Sequence, residues 1–106
     1  MEELSFGTVV QSVCGRDRYR VFLVVELDDC DPVRPVVIAD GSLRKLAGRK
    51  HKNPAHLRFV ARPTEEELFQ LKESLSDEQI LTICKKYDFR KNIFSIFILF
   101  SLFLFE

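Results

Sequence analysis

Arg44, Lys45, Arg49, Lys50, His51, Lys52 and Arg58 crowd the stretch from 44 to 58. Gly48 and Pro54 break that stretch, so it does not read as a plain helix and its cations are expected to stand exposed on a loop. Long cationic side chains on a loop can follow a line of phosphates, and arginine can grip one bidentately. His51 and Asn53, interleaved with them, could add hydrogen bonds to bases or stack on them. The chemistry these residues suit is recognition of a polyanion.

Other chemistries lack their residues. There is no P-loop, no G-x-G-x-x-G, no H-E-x-x-H and no Ser/His/Asp set in recognisable context, so catalysis is not expected. His51 and His56 lie five apart, which does not share a helical face, and no cysteine is near enough in sequence to complete a metal site. Neither a metal, another cofactor nor a small-molecule substrate is expected. Asp28/Asp29 reads as a solvated turn and Glu65/Glu66/Glu67 as a helix start. Cys14, Cys30 and Cys84 are odd in number and contain no C-x-x-C pair, against a disulfide framework or a zinc ribbon. They read as small core hydrophobes in a reducing compartment. The acidic opening Met1-Glu2-Glu3-Leu4-Ser5 is not a signal peptide, and a cytoplasmic location is expected.

The 106 residues balance sixteen basic against sixteen acidic side chains, but unevenly along the chain. Residues 1–33 carry net −4, residues 34–62 net +7 and residues 63–106 net −3. That positive middle again points to a polyanion. The length suits one domain with one core.

The elements that must hold the cations follow from periodicity. Phe6 to Cys14 is rich in Val and Thr. From Tyr19, period two puts Tyr19, Val21, Leu23, Val25 and Leu27 on a buried face, with Arg20, Phe22, Val24 and Glu26 on a mixed one. Asp28 to Pro35, with its Asp and Pro residues, is a loop, and Val36–Ala39 is a short buried strand. Asp40-Gly41 suits a tight hairpin, with Ser42 to Leu46 as the return strand. Gly48 to Pro54 is then a strand-poor loop, and His56 to Ala61 one more strand. Four or five short strands with no helix between them imply a small barrel. Beyond Pro63 the pattern turns helical. Thr64-x-x-Glu67 has the form of a capping box, followed by Leu68, Leu71 and Leu75. Ser76-x-x-Gln79 is a second start, leading into Ile80, Ile83, Cys84 and Tyr87.

Gly7-Thr8-Val9-Val10, Gly15-Arg16-Asp17-Arg18 and Phe22-Leu23-Val24-Val25 together resemble the KOW motif, the strand–loop–strand that begins a small SH3-like barrel. Ala39-Asp40-Gly41-Ser42-Leu43-Arg44-Lys45-Leu46, then Lys50-His51-Lys52-Asn53-Pro54-Ala55-His56-Leu57, is similar to the small bacterial KOW-domain RNA-binding proteins. These in turn resemble the KOW-containing large-subunit ribosomal proteins of eukaryotes and archaea. Ser76 to Ile80 with Lys85-Lys86-Tyr87 fits that group's closing helix. The resemblance covers about residues 5–90. It implies a mainly β fold, a small SH3-like (KOW) β-barrel with one or two C-terminal α-helices: barrel 1–62, helical extension 63–90. It also implies a non-catalytic, ribosome-associated RNA-binding protein. By position its RNA contacts would be Arg16, Arg18, Arg44, Lys45, Arg49, Lys50, His51, Lys52, Asn53, His56 and Arg58. Tyr19 stands where the group often has a second glycine, and the Asp28–Pro35 loop is longer and more acidic than usual.

Residues 91–106 depart from that resemblance. Ile93 to Phe105 holds five of the ten Phe and has only Ser95 and Ser101 as polar positions. As a helix it would be about 20 Å long, short of a bilayer core of about 30 Å. A tail packed on the domain, a membrane-surface anchor and an altered reading frame are all compatible with it. The alternative to RNA binding is therefore a small membrane-associated or protein-interaction module that acts through residues 93–105.

Overall fold

The computed structural model describes residues 4–88. It is mainly β: five antiparallel strands, β1 (Val9–Ser12), β2 (Val21–Leu27), β3 (Val36–Ala39), β4 (Lys50–Lys52) and β5 (Leu57–Ala61), form one sheet in the order β4-β3-β2-β1-β5. Two helices follow, α1 (Glu65–Glu73) and α2 (Asp77–Lys86). Among the described residues no ladder joins β4 to β5, so the sheet is open at that seam.

The sheet buries both of its faces. Val9, Val21, Leu23, Val25, Val37 and Ala39 form one cluster with Leu71 of α1 and Ile80, Ile83 and Cys84 of α2. Val10, Phe22, Val24, Val36 and Ile38 form a second cluster, flanked by Leu4 and Leu57. Central β2 is therefore apolar on both sides from Val21 to Val25, where alternation predicts a mixed outer face. The face assignment holds for Leu23 and Val25 and fails at its ends. Tyr19 is 55% and Leu27 44% exposed, because the apolar cover stops short of them.

The helices start where their caps are. Thr64 Oγ1 accepts from Glu67 N–H at 3.2 Å, and Glu67 Oε1 accepts from Thr64 N–H at 2.9 Å, a complete capping box. At α2 Ser76 Oγ accepts from Gln79 N–H at 3.3 Å. Glu67 also ties the two helices together, accepting from Lys86 Nζ at 3.1 Å and from the Tyr87 hydroxyl at 3.3 Å.

The return strand falls elsewhere than the sequence suggests. Ser42 to Leu46 is not a strand, because its backbone donors are taken. Asp40 Oδ1 accepts from Ser42 N–H at 2.9 Å and Arg44 N–H at 2.7 Å, and Asp77 Oδ1 accepts from Leu46 N–H at 2.8 Å. After a 3₁₀ turn at Leu46–Gly48, Lys50–Lys52 supplies the ladder, inside the stretch expected to be strand-poor. Gly41 makes the turn at φ 78°. A Cβ there would strike the carbonyl oxygen of Asp77, so only glycine lets α2 lie against the loop.

The cysteines also divide. Only Cys84 is a core residue; Cys14 is half-buried and Cys30 is exposed on the Asp28–Pro35 loop. Burial, with the charges of Asp40 and Asp88, pushes the Cys84 thiol up to about 12. All three thiols are free. The Phe-rich tail lies outside the described residues.

Candidate nucleic-acid interface

The two cationic groups separated in sequence meet in the fold, and the residue that joins them is an acid. Asp17, in the β1–β2 loop, places Oδ2 3.4 Å from Lys50 Nζ and 3.7 Å from Lys52 Nζ. Lys50 and Lys52 alternate on the three-residue strand β4, so both project from the same side of it toward that loop. Val13 N–H donates to His56 O at 2.9 Å and draws the Pro54–His56 turn to the same place. Gly15 has positive φ, 79°.

On the other side of the loop a second acid ties it to the β3–β4 connection. Asp40 is 4% exposed, and its Oδ2 pairs with Arg20 Nη2 at 2.9 Å. Burial raises its pKa, but the Ser42 and Arg44 N–H groups and the Arg20 guanidinium more than offset this, and the carboxyl is held below its ordinary value. Arg44 returns the contact, its carbonyl accepting from Asp40 N–H at 2.8 Å. From β5 inward a line of neighbours results. Arg58 lies opposite Gln11 in the sheet, and Gln11 Nε2 donates to Tyr19 O at 3.1 Å. Tyr19 precedes Arg20, and through Asp40 the line reaches Arg44 and Lys45.

The expected contacts sort by what already holds them. Arg16, Arg18, Lys45 and Arg58 are exposed and Arg44 half-buried, and none of their side chains makes a hydrogen bond or ion pair with another described residue. Arg49 is exposed but lies 3.4 Å from Glu26 and donates to Leu46 O, both weak surface contacts. Lys50 is half-buried against Asp17. His51 Nδ1 lies 3.3 Å from Arg34 O and 3.8 Å from Asp28. Lys52 contradicts its expected exposure. It is 8% exposed, and Asp17 meets its ammonium. Asn53 caps the Pro54–His56 turn, accepting from Ala55 N–H at 2.9 Å. His56 is exposed.

Four residues outside the expected RNA contacts also shape this site: Gln11, Asp17, Arg20 and Asp40, the last expected only as a turn residue. The one signal available was Asp17 itself, a lone carboxylate between two arginines in a short loop. The Asp40–Arg20 pair joins positions twenty apart and has no local signature. Asp40-Gly41 docks the β3–β4 loop on Arg20 and on α2, Asp40 through its ion pair and Gly41 through the close approach of Asp77 O.

Among the described residues no three of His, Cys, Asp and Glu gather as metal ligands. No helix of the described residues is long and apolar enough to cross a membrane. No protein-family model matches the chain, and no curated protein matches it.

Proposed function

We propose that this protein is a non-catalytic, cytoplasmic RNA-binding protein of the KOW type, associated with the ribosome, and that its sheet is an SH3-like barrel. The strand order and the two-sided burial of β2 support the barrel, and Asn53–His56 is a short bridge across the open seam between β4 and β5. The observation that carries the RNA reading is the set of uncommitted cations, Arg16, Arg18, Arg44, Lys45 and Arg58. Arg16 and Arg18 stand on the loop that Asp17 ties to β4, Arg44 and Lys45 in the connection whose backbone Asp40 orders, and Arg58 on β5. Fixed backbones and free guanidinium and ammonium heads suit a shaped phosphate surface, where geometry selects the RNA and charge supplies the affinity.

Co-sedimentation with ribosomal subunits tests this. The wild-type protein is expected to pellet with subunits at low salt and to leave them at high salt. A variant with Arg16, Arg18 and Arg44 changed to Glu is expected to remain in the supernatant with an unchanged circular-dichroism spectrum. A folded variant that pellets like the wild type, or a wild type that never pellets, overturns the proposal.

A further inference from the structure

Tyr19 is the only described residue other than glycine with a positive φ, 71°. A bulky side chain enters that backbone region only at a cost, and it persists where its surroundings fix it and the position has a use. Here the surroundings are explicit. Tyr19 N–H donates to Ser12 O at 2.7 Å, Arg20 N–H to Asp17 O at 2.9 Å, and Gln11 Nε2 to Tyr19 O at 3.1 Å. What the conformation achieves is not burial. The residue is 55% exposed and belongs to neither core cluster. It stands beside the loop that presents Arg16 and Arg18.

We propose that Tyr19 is a stacking platform for an unpaired base, and that the RNA recognised carries such a base beside helical phosphates. The inference rests on the RNA-binding function proposed above and narrows its ligand. An aromatic face held by a fixed backbone stacks on any base, but a base inside an uninterrupted duplex has both faces covered and cannot reach it. Arg16 and Arg18 then hold the flanking phosphates while the ring takes the splayed base, so a loop or bulge is preferred over plain duplex.

The test uses the full chain and two RNA probes: a stem–loop with an unpaired purine loop, and the same stem as an uninterrupted duplex. Tyr19→Gly removes the ring and relieves the backbone, and Tyr19→Asn removes the ring with a residue that tolerates positive φ. Both variants are expected to melt no lower than the wild type by more than a few degrees. Both are expected to bind the stem–loop about five- to a hundredfold more weakly while binding the duplex equally well. Tyr19→Trp is expected to retain stem–loop affinity, and 2-aminopurine in the loop should change fluorescence with the wild type and Tyr19→Trp only. Equal weakening on both probes would assign Tyr19 to loop shape and overturn the proposal. Unchanged stem–loop affinity, in a protein whose binding is abolished by Glu at Arg16, Arg18 and Arg44, would refute stacking and leave RNA binding standing. A wild type that binds neither probe would remove both.

Discussion

Gly41→Ala isolates the contact that seats α2 on the sheet. Two costs add at this position. At φ 78° an alanine is in the left-handed region, worth about 1–2 kcal/mol. Its Cβ would also strike Asp77 O, lie 2.7 Å from Leu81 N and lie 3.1 Å from Leu81 Cβ. The first two are backbone atoms of α2, with no flexible end to yield, and such overpacking costs about 1–3 kcal/mol. The sum is about 2–5 kcal/mol, a large share of the roughly 5–15 kcal/mol that holds a domain of this size. At about 4–8 °C per kcal/mol, the melting temperature should fall by about 8–40 °C. Two further variants separate the components. At Gly15, with φ 79° and nothing within 4 Å of a Cβ, alanine should incur the left-handed cost alone. At Gly48, with open space and no positive φ, it should be neutral within about 0.5 kcal/mol. Urea and thermal unfolding of the three variants, followed by circular dichroism, give the ranking. A loss below about 0.5 kcal/mol for Gly41→Ala, or equal losses at 41 and 15, would refute the close approach of α2.

Leu23, fully buried between β1 and β3, should cost about 2–5 kcal/mol when cut to alanine, read by the same unfolding curves. Asp40→Asn should cost about 1–3 kcal/mol near neutral pH, because it removes the charge facing Arg20. Since the Asp40 carboxyl is held below its ordinary value, its stabilisation is complete above the unfolded pKa and is lost as pH falls through the folded one. The wild type should therefore lose stability in acid more steeply than Asp40→Asn, and parallel acid limbs for the two proteins would contradict the assignment.

Where the sequence carries a local signal, the fold was readable from it. Val36–Ala39 is an apolar run between turn residues and is a strand over those residues. Thr64 and Glu67 need only each other to start α1. β4 has no such signal, since Lys-His-Lys has neither apolar alternation nor high strand propensity. It becomes a strand because Asp40 and Asp77 withdraw the donors of Ser42, Arg44 and Leu46 and so postpone the ladder. The same long-range chemistry hid part of the site. Charge clustering marks Arg44, Lys45 and Arg58, and the resemblance alone marks Arg16 and Arg18, but the burial of Lys52 depends on Asp17, thirty-five positions away and across the fold. Cys30 departs from its expected burial for the opposite reason: residue type favours burial, while its acidic loop stands in solvent.

The salt dependence of RNA binding tests the central claim most directly. If the five uncommitted cations each meet a phosphate, at about 0.7–0.9 per contact, log K against log[salt] should fall with a slope of about −3.5 to −4.5. Fluorescence anisotropy of a labelled stem–loop RNA across a salt series measures it. Glu at Arg16, Arg18 and Arg44 should lower the affinity at every salt concentration and reduce the slope to about −2 or shallower. A wild-type slope near zero, or a folded triple variant with the wild-type slope and affinity, would contradict the account.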